Sequence, residues 1–282
     1  MVKTFLLRRD GMGNNCHHVA DNYPGGMKIV TPEELPANAE VVLRWGTTTP
    51  IPNGPLIFNK AKAIHETYNK GVFRKKAADV GLAPHTWLSY DEYVADPYQD
   101  FEWAIVRPVH HQRGSDLHFC ESLDEVKAAC KKITKSGQEY YISEFINKWA
   151  EYRVFVVAGR IICVLDKVMP KRRQKEVAWG LAAAYNYVNW SEWPIAVCEN
   201  AIKSFNLTKL DFAAIDIVLD DNDKAYFLEA NTAPEVWPYY GGKLALAIKH
   251  HVDTNRDRIP VANDGKNWKD YIHPILSVKA NV

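Results

Sequence analysis

The sequence predicts an α/β chain organised as α+β lobes. Three observations point there. Short runs of β-branched and aromatic residues alternate with segments of helical spacing, Gly and Pro clusters punctuate the alternation, and the composition is that of a packed globular protein. Hydrophobic residues are 47% and charged residues 24% of the 282 positions, a balance that supports a sizeable core. The length suits one large unit of about two domains. Nine Trp among 12% aromatics mean that large rings fill much of the core and line a concave site.

Formal net charge is +1, from 35 basic and 34 acidic residues. Such a chain has no global field for nucleic acid or a membrane surface, and neither is expected as a partner. The local exception is the basic run Lys171, Arg172, Arg173 and Lys175. Five widely spaced Cys without a CxxC read as reduced, buried thiols of a cytoplasmic protein. The apolar run at the N-terminus is too short for a signal peptide, and no segment approaches the ~20 apolar residues that span a bilayer.

Taken in order, residues 1–58 read as a short α/β lobe. Residues 3–7 and 40–45 are buried strands. Between them lie the turn signals Asn14-Asn15, Pro24-Gly25-Gly26 and Thr31-Pro32, the last opening a helical turn. Pro50, Pro52, Gly54 and Pro55 break the chain before a short strand at 56–59. A central unit, 59–143, starts with helices at 60–70 and 71–80, stopped by Gly81 and Pro84. It continues with a strand at 103–107, an amphipathic helix at 123–136 with Ser122 as N-cap, and a strand at 140–145. A C-terminal unit, 144–252, carries a hairpin over 152–158 and 160–166 that turns at Gly159. A polar, aromatic loop follows at 171–190, then a helix at 194–205. Strands 213–219 and 225–229 join through the Asx-rich turn 220–223. Gly241-Gly242 precede a helix at 243–250. Residues 253–282 read as a loosely attached tail with a short helix.

The sharpest segment is Ile215-Asp216-Ile217-Val218-Leu219-Asp220 with Tyr226-Phe227-Leu228-Glu229-Ala230-Asn231-Thr232-Ala233-Pro234. It reads as an antiparallel hairpin with Asp216 on one arm and Glu229 and Asn231 on one face of the other. Two carboxylates and a carboxamide form an all-oxygen set suited to Mg²⁺ accompanied by substrate phosphates, with Mn²⁺ as an alternative ion. Both acids lie inside apolar runs, where an unpaired charge is costly. Solvated strand residues are the competing reading.

This hairpin and the Glu-Ala-Asn-Thr-Ala-Pro stretch resemble the Mg²⁺ site of the ATP-grasp superfamily. The patterns of D-alanine–D-alanine ligase and of ligases that add glutamate to protein tails match best. The resemblance runs from about Asn59 to Pro234 through several motifs in order. The short N-terminal lobe is similar to reduced, bacteriophage-type members. The resemblance implies an ATP-grasp fold with ATP between two α+β subdomains.

It also implies roles for particular residues. Lys70 opens the first helix of the central domain and touches the nucleotide phosphates. Arg107, in Ala104-Ile105-Val106-Arg107-Pro108, stands where the family has Lys-Pro, and a guanidinium still bridges phosphate oxygens. Gly114 and Ser115 are all the glycine loop that remains over the phosphates, flanked by His110, His111 and Arg113. Glu144-Phe145-Ile146 resembles the hinge whose backbone recognises adenine. Glu151 falls at the spacing of the acid that binds the ribose hydroxyls, and Leu228 matches the apolar residue beneath adenine. Arg153, in Glu151-Tyr152-Arg153, resembles an arginine aimed at the γ-phosphate or the acyl group. Lys167 ends the next strand where a cation meets the triphosphate. Arg172 is a further catalytic candidate, and Arg173 a further candidate for the substrate. For Lys70, Arg153 and the basic run, a solvated surface side chain is the alternative. Arg44, at the C-terminal end of a strand, is either a carboxylate clamp for the substrate or a structural arginine packed on Trp45. Glu235, Trp237, Tyr239 and Tyr240 either line an acceptor pocket or pack the last helix.

The implied reaction joins a carboxylate to an amine through an acylphosphate, releasing ADP and phosphate. Ala214 stands where D-alanine–D-alanine ligase has an arginine that polarises the acyl intermediate, so that particular activity is not expected. The partners are a small-molecule or peptide carboxylate and an amine acceptor, and ligases of this kind are often homodimers. The alternatives are an ATP-grasp kinase and a nucleotide-binding module without catalysis.

Overall fold

The computed structural model describes residues 2–9, 16–96, 103–110, 116–168, 184–254, 258–260 and 265–277. Val41-Val42-Leu43 is a continuous apolar run, as parallel strands buried on both faces require, and it forms β3 (Val41–Trp45), buried at every position. With β1 (Thr4–Arg8), β2 (Lys28–Val30) and β4 (Leu56–Phe58) it makes a parallel sheet in the order β2-β1-β3-β4. The short α1 (His17–Ala20) lies between β1 and β2. After β4 the chain turns at Asn59 in the left-handed region, φ 55°. The fully buried Asn59 carboxamide accepts from the N–H groups of Asp211 (2.7 Å) and Phe212 (3.1 Å) and donates to the Phe212 carbonyl (2.9 Å). One side chain thus fastens the N-terminal lobe to the C-terminal sheet.

The next unit comprises α2 (Ala61–Tyr68), α3 (Lys70–Ala78), β5 (Thr86–Trp87), α4 (Tyr90–Ala95), β6 (Ala104–Pro108), β7 (His118–Cys120), α5 (Leu123–Lys135) and β8 (Tyr140–Glu144). Its strands pair antiparallel in the order β5-β8-β6-β7. The Ser122 hydroxyl caps α5 by accepting the Glu125 N–H at 3.3 Å. The apolar stripe of α5 (Val126, Ala129, Cys130, Ile133) covers Val106 and Ile142 in a separate small core. The helix break falls at Asn69, not after Lys70. The Asn69 carboxamide accepts the Val72 N–H at 3.0 Å, so Lys70 becomes the first residue of α3.

The third unit holds β9 (Lys148–Val157), β10 (Arg160–Val168), β11 (Ala184–Tyr187), α6 (Ile195–Thr208), β12 (Phe212–Asp220), β13 (Ala225–Asn231), α7 (Pro238–Asp253), α8 (Trp268–Tyr271) and α9 (Pro274–Ser277). Its antiparallel sheet runs β11-β10-β9-β12-β13. The long strands β9, β10 and β12 form the main core with α6 and α7.

Three further expectations are corrected. Part of the stretch read as a loop is a strand: β11 pairs with β10 from Leu165↔Tyr187 to Val168↔Ala184. The alternating Tyr185 and Tyr187 are its strand signal. Helix α7 begins five residues early, at Pro238, and contains both glycines. Gly241 is there because a Cβ at that position would lie 2.7 Å from the His18 Cβ and 2.9 Å from the His18 carbonyl oxygen; the helix is in contact with α1. The described part of the tail is not loose. Tyr271, Ile272, His273 and Leu276 are buried, Ile272 bridges to Ile161, and Arg160 donates to the carbonyls of Asp270 and Pro260.

Gly241→Ala is therefore expected to destabilise the protein by about 1–3 kcal/mol. Gly242→Ala, whose Cβ would meet only Asn22 at 3.7 Å, serves as the near-neutral control. The urea midpoint at unchanged slope reads both. All five cysteines are free and buried, and burial pushes the Cys120 and Cys130 thiols up to about 11, as for inert packing thiols. Among the described residues no helix is long and apolar enough to cross a membrane.

Candidate active site

In an antiparallel ladder, directly paired residues share a face, and each strand repeats that face every second residue. The registers Asp216↔Arg153 and Asp216↔Glu229 therefore bring three charged groups together. Leu165↔Arg153 places Lys167 on the same face beside Glu151, and Ala214↔Asn231 adds Asn231. The residues singled out on β9, β10, β12 and β13 converge on one patch.

The patch is a network of ion pairs. Arg153 holds Asp216 through two hydrogen bonds, Nε to Oδ1 at 2.8 Å and Nη2 to Oδ2 at 2.9 Å. Lys167, only 4% exposed, lies 3.3 Å from the same Oδ2 and also donates to Glu151 Oε1. Lys148 takes the other Glu151 oxygen at 2.7 Å. From the central unit, Lys70 reaches Glu229 Oε2 at 2.7 Å, and Asn231 Nδ2 donates to Glu229 Oε1 at 3.3 Å. Tyr185 lies beneath the Arg153 and Lys167 cations, 5.2 and 5.8 Å from its ring centre.

Burial pushes the Glu151 carboxyl up, but Lys167 and Lys148 more than reverse this and hold it at about 2, against an ordinary 4.5. Burial likewise opposes ionisation of Glu229, and Lys70, Lys167 and Arg153 outweigh it, so this carboxyl too is depressed. Burial works against the charges of Lys167 and Arg153, yet Asp216 beside both, together with Glu151 beside Lys167, leaves them more strongly basic than usual. A depressed folded-state carboxyl contributes stability above its unfolded value and loses it as pH falls toward the folded one. For Glu151 that window runs from 4.5 down to about 2. The wild type should lose about 3 kcal/mol more across it than Glu151→Gln, as read from denaturant midpoints at each pH.

The adenine hinge predicted at Glu144-Phe145-Ile146 follows the end of β8. The Glu144 N–H donates to the His85 carbonyl (2.9 Å), the Phe145 N–H donates to the Trp103 carbonyl (3.1 Å), and the Glu144 carboxylate accepts the His85 N–H (3.2 Å). The Phe145 ring packs edge-on against Phe119 and Trp103. Arg107 is half-buried on β6, paired across the ladder with Tyr141. Leu228 is a bulge residue of β13, between the pairs Asp216↔Glu229 and Ile217↔Phe227.

Arg44 is 3% exposed and braces its own loop, donating to the carbonyls of Thr47 (3.1 Å) and Thr49 (2.8 Å), while Trp45 stacks on Phe212 at 5.6 Å. The Arg44 loop reaches the hairpin: a Cβ on Gly46, φ +69°, would lie 2.6 Å from the Ala233 Cβ. Tyr240 is fully buried against Phe155, whereas Trp237 and Tyr239 are half exposed. Gly114, Ser115, Arg172 and Arg173 lie outside the described residues.

Sequence reasoning missed Arg74, Lys148 and Tyr185. Arg74 had a signal, because it sits four residues after Lys70 on one helix and so shares its face. Its guanidinium donates twice to the Leu228 carbonyl, at 3.1 and 2.7 Å.

Five cations (Lys70, Arg74, Lys148, Arg153 and Lys167) act on the carboxylates of Glu151, Asp216 and Glu229, and Arg107 adds its charge within range of Arg74. Positive charge is in excess, which suits a polyphosphate. Among the described residues no group of three or more His, Cys, Asp or Glu side chains is arranged to hold a metal ion. An ion here would use Asp216, Glu229, the Asn231 amide oxygen and phosphate oxygens, a donor set that fits Mg²⁺, which keeps few protein ligands and binds with phosphate.

No family model matches the chain. The D-alanine–D-alanine ligase of Aquifex aeolicus (strain VF5) is 26% identical over 163 residues, 53% of this chain and 52% of the relative, so the chain spans about half the length of the curated relative it matches. Solved structures are similar over most of their length. ATP-grasp ligase PsnB complexed with minimal precursor superposes with a TM-score of 0.63 at 14% identity, covering 88% of this chain and 99% of that one. A RimK domain ATP-grasp protein from Sphaerobacter thermophilus DSM 20745 gives 0.61 at 13%, covering 86% and 98%. The D-alanine–D-alanine ligase from Bacillus anthracis complexed with ATP gives 0.62 at 13%, covering 90% and 99%. At such identities the likeness is one of architecture, and by that architecture the chain has the ATP-grasp fold.

Proposed function

We propose that the chain is an ATP-dependent carboxylate–amine ligase that works through an acylphosphate and releases ADP and phosphate. The observation that carries the proposal is the cation-rich face on which Lys70 from the central unit meets Glu229, beside the Arg153–Asp216–Lys167 cluster of the C-terminal sheet. A carboxylate attacking a triphosphate brings negative charge to negative charge. The barrier falls when fixed cations surround the transferring group. Lys70 and Arg107 hold the phosphates, while Lys167 and Arg153 face the γ-phosphoryl and acyl groups. Asp216, Glu229 and Asn231 would hold Mg²⁺, or Mn²⁺ in its place, which would supply charge neutralisation at the phosphate oxygens. In this reading adenine lies at the hinge 144–146 over Leu228, and Glu151, which also orients Lys148 and Lys167, is the acid for the ribose hydroxyls.

Two neighbours support ATP-dependent ligation. PsnB was solved with a minimal precursor, Mg and ADP, and the Bacillus anthracis ligase with ATP. By analogy the donor is a small-molecule or peptide carboxylate and the acceptor an amine. Ala214, buried and paired with Phe155 and Asn231, carries no charge to the acyl group, and Arg153 takes that part. The test is to mix protein, ATP and Mg²⁺ with panels of amino acids and peptides and identify the nucleotide product. ADP release that needs both a carboxylate and an amine is expected. A phosphorylated alcohol would show a kinase, and binding without turnover a nucleotide-binding module.

A further inference from the structure

Strand β13 cannot satisfy both its neighbours by simple alternation. Phe227 belongs in the core: it is 1% exposed and packs against Phe73 at 5.5 Å. Glu229 and Asn231 belong on the opposite, polar face with Asp216. With strict alternation, residues 227, 229 and 231 would all share one face. The pairing resolves this with one extra residue. Ile217 opposes Phe227 while Asp216 opposes Glu229, so Leu228 is bulged out and the faces exchange across it.

A bulge leaves backbone groups without ladder partners. Here the Leu228 carbonyl accepts from both Nε and Nη2 of Arg74. Arg74 is 5% exposed, stacks over Tyr141 at 5.5 Å, and has no carboxylate at ion-pair distance among the described residues. Burying a guanidinium is expensive, and a neutral donor would satisfy one carbonyl equally well. One residue before the bulge the Phe227 N–H donates to the Leu82 carbonyl at 2.7 Å, so this edge of the sheet is fastened to the central unit on both sides of the switch.

We infer that Arg74 is a positioning residue: by holding the bulge at Leu228 it sets Glu229 and Asn231 on the face occupied by Asp216. Its role in metal binding rests on the ligase reading above; its role in fixing the bulge does not.

The test uses Arg74→Gln and Arg74→Lys in the full chain, with two measurements. Hydrogen–deuterium exchange should accelerate at residues 228–231 in Arg74→Gln, with the rest of the sheet unchanged. The Mg²⁺ concentration that half-saturates binding of a non-hydrolysable ATP analogue should rise about tenfold, with Arg74→Lys intermediate. A merely structural role would lower the thermal midpoint and leave the Mg²⁺ requirement where it is. Unchanged exchange at 228–231 in a folded variant, or an unchanged Mg²⁺ requirement, overturns the inference. If Arg74→Gln does not fold, Arg74→Lys decides on the same two measurements. A wild type that binds no nucleotide overturns the ligase reading, and the exchange measurement then decides the bulge by itself.

Discussion

Asp216→Ala is expected to reduce Mg²⁺–ATP-dependent turnover by at least about a hundredfold. It is also expected to destabilise the fold by roughly 3–5 kcal/mol. Both effects have one source. Asp216 is 3% exposed and is the shared counter-ion of Arg153 and Lys167. Removing it strands two buried cations, and breaking a buried pair from one side costs far more than the pair is worth against apolar replacements. The cations would also lose the orientation that Asp216 gives them toward a phosphoryl group. Asp216→Asn separates the two effects: it keeps an oxygen acceptor and most of the packing, so stability should recover in part while turnover does not. Chemical denaturation and a steady-state ADP assay read both. Turnover retained in Asp216→Ala would contradict the assignment.

Lys70→Met should weaken binding of an ATP analogue by about 10–100-fold, the worth of a hydrogen bond to a charged group. Its effect on bare Mg²⁺ should have the opposite sign. In the free protein both Glu229 oxygens are engaged, one by Lys70 at 2.7 Å and the other by Asn231. Asp216 is engaged by Arg153 and Lys167. A metal ion without phosphate meets carboxylates already paired with cations, so the wild type should bind Mg²⁺ poorly until a triphosphate draws Lys70 away. Lys70→Met removes that competitor and should tighten Mg²⁺ binding in the absence of nucleotide. Stability should fall modestly, because Glu229 loses its nearest cation but keeps Lys167 and Arg153 close by, and the pair is about one quarter exposed on each side. Calorimetric titrations with Mg²⁺ alone, analogue alone and both together distinguish these outcomes.

Much of the site was legible because charged residues interrupt apolar strands. Asp216 in Ile-Asp-Ile-Val-Leu and Glu229 in Tyr-Phe-Leu-Glu stand out physically, and an unpaired charge there is too costly to be incidental. Strand alternation correctly put Glu229 and Asn231 together. It had no means of showing the bulge at Leu228, since a bulge is a property of two paired strands and not of one sequence. Tyr185 was hidden because its strand is four residues long, and two tyrosines among polar neighbours read equally well as a loop. Lys148 and Glu151 lie three apart near the start of a strand, and only the pairing with Lys167 shows why both are there. For Arg44 the sequence leaves two roles open, and the bonds that place its guanidinium are local ones to the carbonyls of Thr47 and Thr49, which spacing alone does not show.

The fold was read well where the local signal was strong and poorly where tertiary packing overrides it. Gly241 looks like a helix breaker, yet it lies within α7 because the helix must pass against His18. The polar tail gave no sign of docking, but among its described residues Tyr271, Ile272 and Leu276 are buried, with Ile272 bridged to Ile161 and Arg160 bonded to the Asp270 carbonyl.

The face carrying Asp216, Glu229, Lys70 and Arg153 is expected to bind a metal–triphosphate. The most direct test is calorimetric titration of the full chain with a non-hydrolysable ATP analogue, with and without Mg²⁺, alongside the doubly neutralised Asp216→Asn, Glu229→Gln protein. The account predicts one nucleotide per chain, tighter with Mg²⁺ in the wild type, and no gain from Mg²⁺ in the folded double variant. A Mg²⁺-dependent affinity unchanged by the two substitutions, or no nucleotide binding by the wild type, would contradict it.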